Sequence, residues 1–193
     1  MLVLYSTRDG STKNMAEHIA HGVEAAKTIS ARIRTVPPVS AKTEKQLDDI
    51  PDSGHLYVSP EDLENCKGLA LGSPVNFGNM SASLKYFLDS TTSIWLGSRL
   101  AGKPAGVFVS GSSPHGGQET TLISMMLPLL HHGMLITGLP FSEKELLNTG
   151  SGGTPYGPSH ISGSNNNPEL TAEEIRLCTA FGRRLANLAL KCQ

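Results

Sequence analysis

The chain has 193 residues, of which 38% are hydrophobic and 17% charged, and its formal net charge is −1. This composition fits one globular domain over residues 1–193 and excludes a disordered chain. A net charge near zero disfavours binding to nucleic acid or to an anionic membrane surface, and no apolar run reaches the ~20 residues that span a bilayer.

Strands and helices alternate in the first half of the chain. Short runs of buried-type residues predict strands, whereas the apolar spacing of Met15, Ile19 and Val23 predicts an amphipathic helix. The polar segment over residues 37–60 has neither period and is predicted to be a surface excursion. The other predicted elements are strands over Leu2–Tyr5, Ile29–Val36 and Leu69–Leu71, a helix that begins at Ser11 and a helix over Ser81–Asp89.

The second half continues the alternation and adds a second long segment without periodicity. Residues 139–168 are rich in Gly, Ser, Asn and Pro, and a segment of this length in a compact domain is either functional or mobile. Thr171 and Glu174 form a capping-box pattern at the start of the last helix. The predicted elements are strands over Ala105–Val109 and Met134–Thr137 and helices over Gln118–His132 and Thr171–Lys191.

This alternation predicts an α/β fold, a doubly wound five-stranded parallel sheet with helices on both faces. Such sheets bind ligands beyond the carboxyl ends of their strands. Small and polar residues are concentrated there: "STRDGST" follows the first strand, "GSPVNFGNMS" the third and "SGSSPHGGQE" the fourth. We therefore expect the ligand site at this edge of the sheet.

The three cysteines, Cys66, Cys178 and Cys192, are widely spaced and odd in number. They show no CxxC pair and no nearby histidine at metal-ligand spacing. Such usage is typical of packing residues in a reducing compartment, so we expect a cytoplasmic protein and no metal site.

The loop after the first strand has the properties of a phosphate site. Gly10 permits a sharp turn with positive φ, so that successive amide groups point into one concavity. The next helix adds free amides and its positive dipole end, and Thr7, Ser11 and Thr12 offer neutral hydroxyl donors. The sequence has neither G-x-G-x-x-G nor G-K-[ST], which excludes a dinucleotide fingerprint and a P-loop. A hydroxyl-rich turn that merely caps a helix is the alternative for this loop taken alone.

Six segments in the same order resemble the WrbA-type NAD(P)H:quinone oxidoreductases of the flavodoxin-like superfamily. "STRDGST" resembles the loop that holds the FMN phosphate in flavodoxin-like proteins, and the others are "GSPVNFGNMSASLKYFLD", Trp95, "GGQE", "HHGM" and "GGTPYG". The resemblance covers essentially the whole chain, including the closing "TAEEI" helix. It implies a flavodoxin-like fold, bound FMN and NADH or NADPH as the electron donor.

The resemblance also implies roles for individual residues. His131 would lie beside the flavin and donate a hydrogen bond to the quinone, while Trp95, with Asp9, would contact the nicotinamide or quinone. The Trp95 segment is expected to return along the carboxyl edge of the sheet. The implied FMN-binding residues, besides His131, are Thr7, Arg8, Asp9, Gly10, Ser11 and Thr12 at the phosphate, Pro74, Val75, Asn76, Phe77 and Gly78 beside the ring, and Ser110, Gly111, Ser112, Ser113, Pro114, Gly116 and Gly117 around its pyrimidine end.

The implied reaction is the two-electron reduction of a quinone by NAD(P)H. FMN supplies this chemistry, and the protein supplies orientation and electrostatics. Because both substrates would use one face of the flavin, ping-pong kinetics are expected. Family members are typically dimers or tetramers with active sites near subunit contacts, so a homodimer or homotetramer is implied.

Two other functions remain open. A flavodoxin-type electron carrier would share the fold, although such carriers are typically strongly acidic and this chain is not. A non-catalytic interaction module with weakened FMN binding would fit Asp9, where the family usually has an aromatic residue, and Asn76, where it usually has an arginine.

Some candidate residues also have a purely structural interpretation. His131 lies near a predicted helix end, where a partly positive imidazole is favoured without any function. Trp95, the single tryptophan, fits core or interface packing. The residues interpreted as structural or exposed are His18, His21, His55 and His160.

Overall fold

The computed structural model describes residues 1–39, 51 and 54–192. The predicted excursion over residues 37–60 therefore lies largely outside the described residues. The elements in the described ranges are β1 (Leu2–Tyr5), α1 (Ser11–Glu24), β2 (Arg32–Thr35), α2 (Pro60–Glu64), β3 (Leu69–Pro74), α3 (Ala82–Asp89), α4 (Thr92–Leu96), β4 (Pro104–Gly111), α5 (Gln118–His131), β5 (Leu135–Ile136), α6 (Glu145–Asn148), β6 (Ser159–Ile161) and α7 (Ala172–Lys191).

The strands form one parallel sheet in the order β2-β1-β3-β4-β5, with β6 also paired to β4. The chain runs outward from β1 in both directions, so the strand order reverses between β1 and β3. The carboxyl ends of β1, β3 and β4 meet at this reversal, which is where such sheets form a ligand crevice.

The predicted α/β doubly wound fold is confirmed, but the described residues contribute six strands to the sheet instead of the five predicted. β3 occupies one edge of β4 along most of its length, so β5 and β6 share the other edge. β5 pairs with the start of β4 and β6 with its end, and the chain leaves the sheet between them over residues 137–158. The fifth position in the sheet is thus one interrupted strand.

Helices cover both faces because side chains alternate along each strand. Val3 and Tyr5 of β1 and Phe108 of β4 pack with α1 and α7 on one face. Leu2 and Leu4 point the other way, into a core shared with α3, α4 and α5. None of the helices in the described ranges is both long and apolar enough to cross a membrane.

Glycines bring α1 and α7 into direct contact on the first face. A Cβ at Gly22 would overlap the carbonyl oxygen of Thr179, and one at Gly182 would overlap the carbonyl oxygen of Ile19. This close approach fixes α1, and therefore its N-terminal turn, against the sheet and α7.

Candidate functional site

The first turn of α1 lies at the carboxyl end of β1 and has the geometry of an anion site. Gly10 is the N-cap, with φ of 95°, and no side chain among the described residues caps the helix. The first amide groups of a helix have no acceptor within it, so they point outward as donors. Ser11 and Thr12 are buried at this turn, whereas Arg8 and Asp9 are exposed.

The loop after β4 contacts this turn directly. Thr12 Oγ1 lies 3.1 Å from Ser110 Oγ, in a buried hydrogen bond between residues 98 positions apart. The next helix, α5, repeats the arrangement at α1, because its N-cap is Gly117 with φ of 97° and no side-chain cap within the described ranges. Two uncapped helix N-termini therefore meet the same edge of the sheet.

The loop after β3 completes the site. The Val75 amide donates to the Ser110 carbonyl oxygen at 2.8 Å. Gly78 packs against Gly117, where a Cβ on Gly117 would stand 3.3 Å from the Gly78 Cα. The structure thus brings together the three predicted segments, Thr7–Thr12, Pro74–Gly78 and Ser110–Gly117.

Phe77 is held in an unusual conformation at the tip of the β3 loop. The backbones of Asn76 and Asn79 exchange hydrogen bonds of 2.9 and 3.0 Å, which closes a turn over Phe77 and Gly78. Both central residues have positive φ, 52° and 73°, and the Phe77 side chain is fully exposed. A non-glycine residue in this region is strained, and strain of this kind concentrates at functional sites. Phe77 therefore offers a free aromatic face beside the converging loops.

These residues fit FMN. The uncapped amides of α1 and the hydroxyls around them suit a phosphate group. The loops after β3 and β4 offer an aromatic face and backbone amides for the ring. A cleft of about 460 Å³ adjoins the β4 loop, lined in part by Pro114, His115 and Gln118. Gln118 Nε2 donates to the Ser113 carbonyl oxygen and so holds the loop from inside.

Trp95 and His131 lie together, but far from these loops. Trp95 Nε1 donates to the His131 carbonyl oxygen at 2.8 Å. α5 begins at the carboxyl edge of the sheet and has 14 residues, which places His131 about 20 Å from Gly117 at ~1.5 Å per residue. The expectation that the Trp95 segment follows the carboxyl edge is wrong, since α3 carries the chain back to the opposite edge before α4 begins.

Trp95 and His131 line a second cleft of about 440 Å³. His132, which sequence reasoning did not select, lies beside them. Thr91 Oγ1 donates to the Leu88 carbonyl oxygen, so it accepts a hydrogen bond from His132 Nε2 at 3.0 Å. Burial, together with His131, lowers the pKa of His132, and within the described residues its buried Nδ1 has no partner. His132 is therefore a neutral imidazole with a free acceptor.

His160 is the second residue whose importance the sequence did not reveal. Of the two interpretations from sequence, structural or exposed, the first agrees with the burial of His160 in β6. Its Nδ1 lies 2.9 Å from Glu174 Oε2 in the first turn of α7. Burial alone would lower the pKa of His160, but the hydrogen bonds with Glu174 and the Asn167 carbonyl outweigh it and raise the pKa. The predicted capping box of Thr171 and Glu174 is confirmed.

Comparison with known proteins shows the family to which this chain belongs. Residues 1–141 match the model of the family described as NADPH-dependent FMN reductase. A protein of Acidithiobacillus ferrooxidans named NAD(P)H dehydrogenase (quinone) is 39% identical, covering 99% of this chain and 97% of its own length. One of Solidesulfovibrio magneticus with the same name is 34% identical, with coverages of 97% and 96%.

Solved structures share the fold. A flavodoxin, WrbA-like protein from Agrobacterium tumefaciens superposes with a TM-score of 0.69 at 22% identity, covering 100% of this chain and 98% of its own. Flavodoxin 2 from Bacillus cereus superposes with a TM-score of 0.62 at 19% identity, covering 96% of this chain and 97% of its own. The predicted flavodoxin-like fold and the predicted FMN cofactor are confirmed. The chain belongs to the family of NADPH-dependent FMN reductases.

Proposed function

We propose that this protein is an FMN-dependent NAD(P)H:quinone oxidoreductase that reduces quinones by two electrons. The observation that carries the proposal is that three loops converge at the strand-order reversal with two helix N-termini, each of which has glycine at its N-cap and no side-chain cap among the described residues. The two curated relatives are named for this activity, and they align over nearly their whole lengths.

The chain's own residues bind and orient the reactants. FMN supplies the hydride and electron chemistry when it is bound. Amides of the first turn of α1, with Ser11 and Thr12, would hold its phosphate, and Ser110 positions Thr12 through their shared hydrogen bond. Phe77 and the glycine-rich loop after β4 would border the ring. If one face of the bound FMN served the nicotinamide and the quinone in turn, the kinetics would be ping-pong.

We further propose that the active enzyme is a homodimer or homotetramer. Trp95 and His131 lie too far from the flavin loops of their own chain, so they reach a flavin when a second copy presents it. In that arrangement Trp95 gives the substrate an aromatic face, and His131 donates a hydrogen bond to the quinone oxygen. The apolar residues Ile123, Leu127 and Leu130 are exposed on α5, next to this cluster, and support a contact between copies.

We also propose a cytoplasmic location. Cys66, Cys178 and Cys192 are all free thiols in the structure. Burial raises the pKa of the Cys66 thiol, and burial together with Glu174 raises that of Cys178, so both remain protonated packing groups. A chain with three free thiols fits a reducing compartment.

Steady-state kinetics test the proposal. The FMN-loaded protein is assayed with NADH or NADPH and a series of benzoquinone concentrations. Ping-pong turnover predicts parallel double-reciprocal lines. Intersecting lines would contradict the shared face. Reduction of one-electron acceptors alone would favour an electron carrier, and failure to bind added FMN would favour a non-catalytic module.

A further inference from the structure

The buried pair of His160 and Glu174 ties together four segments around the FMN phosphate site. Glu174 Oε1 accepts hydrogen bonds from Ser151 Oγ and the Gly152 amide, both at 2.9 Å, and from the Ile161 amide at 3.4 Å. Its Oε2 accepts from the Thr171 amide at 2.9 Å. The pair therefore joins three of these segments, namely β6, the loop that contains Gly152, and the start of α7.

The histidine also holds the segment that connects β6 to α7, residues 162–170, here termed the strap. Both ring nitrogens of His160 face acceptors: Nδ1 meets Glu174 Oε2, and Nε2 meets the Asn167 carbonyl oxygen at 2.9 Å. A neutral imidazole has one N–H and one bare lone pair. Four other donors already point at the Glu174 carboxyl, which favours its ionised form. The geometry therefore requires a doubly protonated histidine beside a carboxylate.

The strap reaches the phosphate site directly. At one end the Ser162 amide donates to the Gly111 carbonyl oxygen at 2.9 Å, at the end of β4. At the other end Asn14 Nδ2, in the first turn of α1, donates to the Pro168 carbonyl oxygen at 2.8 Å. Pro168 lies beside Gly10, since a Cβ added at Gly10 would be 3.6 Å from the Pro168 Cβ. Asn167, which His160 holds, immediately precedes Pro168.

We propose that His160 is a positioning residue for the cofactor, whose protonated ring pins the strap against the first turn of α1 and so preserves the FMN phosphate site. When the ring loses a proton, one of its nitrogens faces an oxygen lone pair. The Asn167 contact then weakens, and Pro168 no longer holds Gly10 and Asn14. This inference rests on the proposed FMN site and concerns the binding of FMN, not the reaction with quinone.

The charges around the ring determine the direction of its pH dependence. Among the described residues, Glu174 is the charged group that contacts His160. Cys178, one turn further along α7, is a neutral buried thiol, and Glu173 is turned outward in an ion pair with Arg176. Because the pKa of His160 is raised in the folded protein, the pinned state is fully present below the ordinary histidine pKa of ~6.5 and is lost as the pH rises through the folded value.

FMN binding to the apoprotein tests the inference. Dissociation constants are measured by quenching of FMN fluorescence between about pH 6 and about pH 9 for the wild type and for His160→Gln. Glutamine keeps one donor but does not titrate. His21→Gln is the matched control, because His21 is exposed at the far end of α1. The titration of FMN itself is common to all three proteins and cancels in their ratios.

We expect wild-type affinity to fall about tenfold across the alkaline range, and His160→Gln to bind about tenfold more weakly at neutral pH without that fall. Hydrogen exchange of the strap in apoprotein should be faster in His160→Gln, whereas His21→Gln should match the wild type in both assays. The inference would be overturned if His160→Gln bound FMN with the affinity and the pH profile of the wild type. It would also be overturned if His160→Gln had a lower free energy of unfolding but an unchanged affinity for FMN. Since neither assay uses nicotinamide or quinone, an absence of quinone turnover would refute the proposed activity and leave this result standing.

Discussion

Replacing Asp9 with Asn should tighten FMN binding. Asp9 and Arg8 are both exposed, and neither takes part in an ion pair among the described residues. Asp9 directly precedes the N-cap Gly10, so its carboxylate would lie about 7 Å from a phosphate bound at the helix start, roughly two Cα steps. Its repulsion of a phosphate with charge near −2 is then ~1 kcal/mol in water, which corresponds to about fivefold in affinity.

The FMN affinity of Asp9→Asn is best measured by fluorescence titration of the apoprotein at low and at high salt. The gain should shrink to about twofold near physiological ionic strength, where the screening length is ~8 Å. Arg8→Gln is the matched variant, because Arg8 is also exposed and adjacent to Asp9 but carries the opposite charge. Arg8→Gln should weaken FMN binding by a similar factor. Weaker binding by Asp9→Asn would refute this reasoning and would show that Asp9 helps FMN binding, for example by orienting Arg8.

Three further outcomes are expected. FMN should bind much more tightly than FAD in equilibrium titrations, because the site is built around one phosphate; equal affinities would contradict this. Gly182→Ala should lower the free energy of unfolding, measured with denaturant, by about 1–3 kcal/mol, because the added Cβ would overlap the Ile19 carbonyl oxygen. Gly150→Ala should leave that free energy unchanged, because its added Cβ would meet open space. Trp95→Ala should lower quinone turnover about tenfold, the factor that ~1.4 kcal/mol gives. Trp95→Phe keeps an aromatic face but lacks the N–H group that donates to His131, and its quinone turnover should fall less than that of Trp95→Ala. An equal fall in turnover for the two variants would argue against stacking.

Most of the fold follows from the sequence because the spacing of apolar residues in its strands and helices is regular. Alternating strands and amphipathic helices such as α1 and α7 bury continuous apolar stripes, and these predict a doubly wound sheet. β6 was missed because it has three residues, Ser159–Ile161, of which one is apolar, inside a segment rich in Gly and Asn. Its pairing with β4 depends on tertiary contacts that no local pattern encodes.

The cofactor loops were predictable for a topological reason. Residues that follow parallel strands must meet at one edge, so the segments after β1, β3 and β4 converge without knowledge of side-chain contacts. The position of Trp95 was not predictable in this way, because it depends on where α3 ends and α4 begins. The role of His160 was hidden for a similar reason. Its partners are Glu174, 14 positions away, and a backbone carbonyl, although the capping-box pattern already marked Glu174.

Anaerobic titration tests the central claim most directly. The FMN-loaded protein is first titrated with NADH or NADPH, and then with benzoquinone, while the visible flavin absorbance is followed. The proposed function predicts that one equivalent of nicotinamide removes the absorbance and that one equivalent of quinone restores it, with one equivalent of hydroquinone formed. Absorbance that the nicotinamide leaves unchanged, or that quinone fails to restore, would contradict the account.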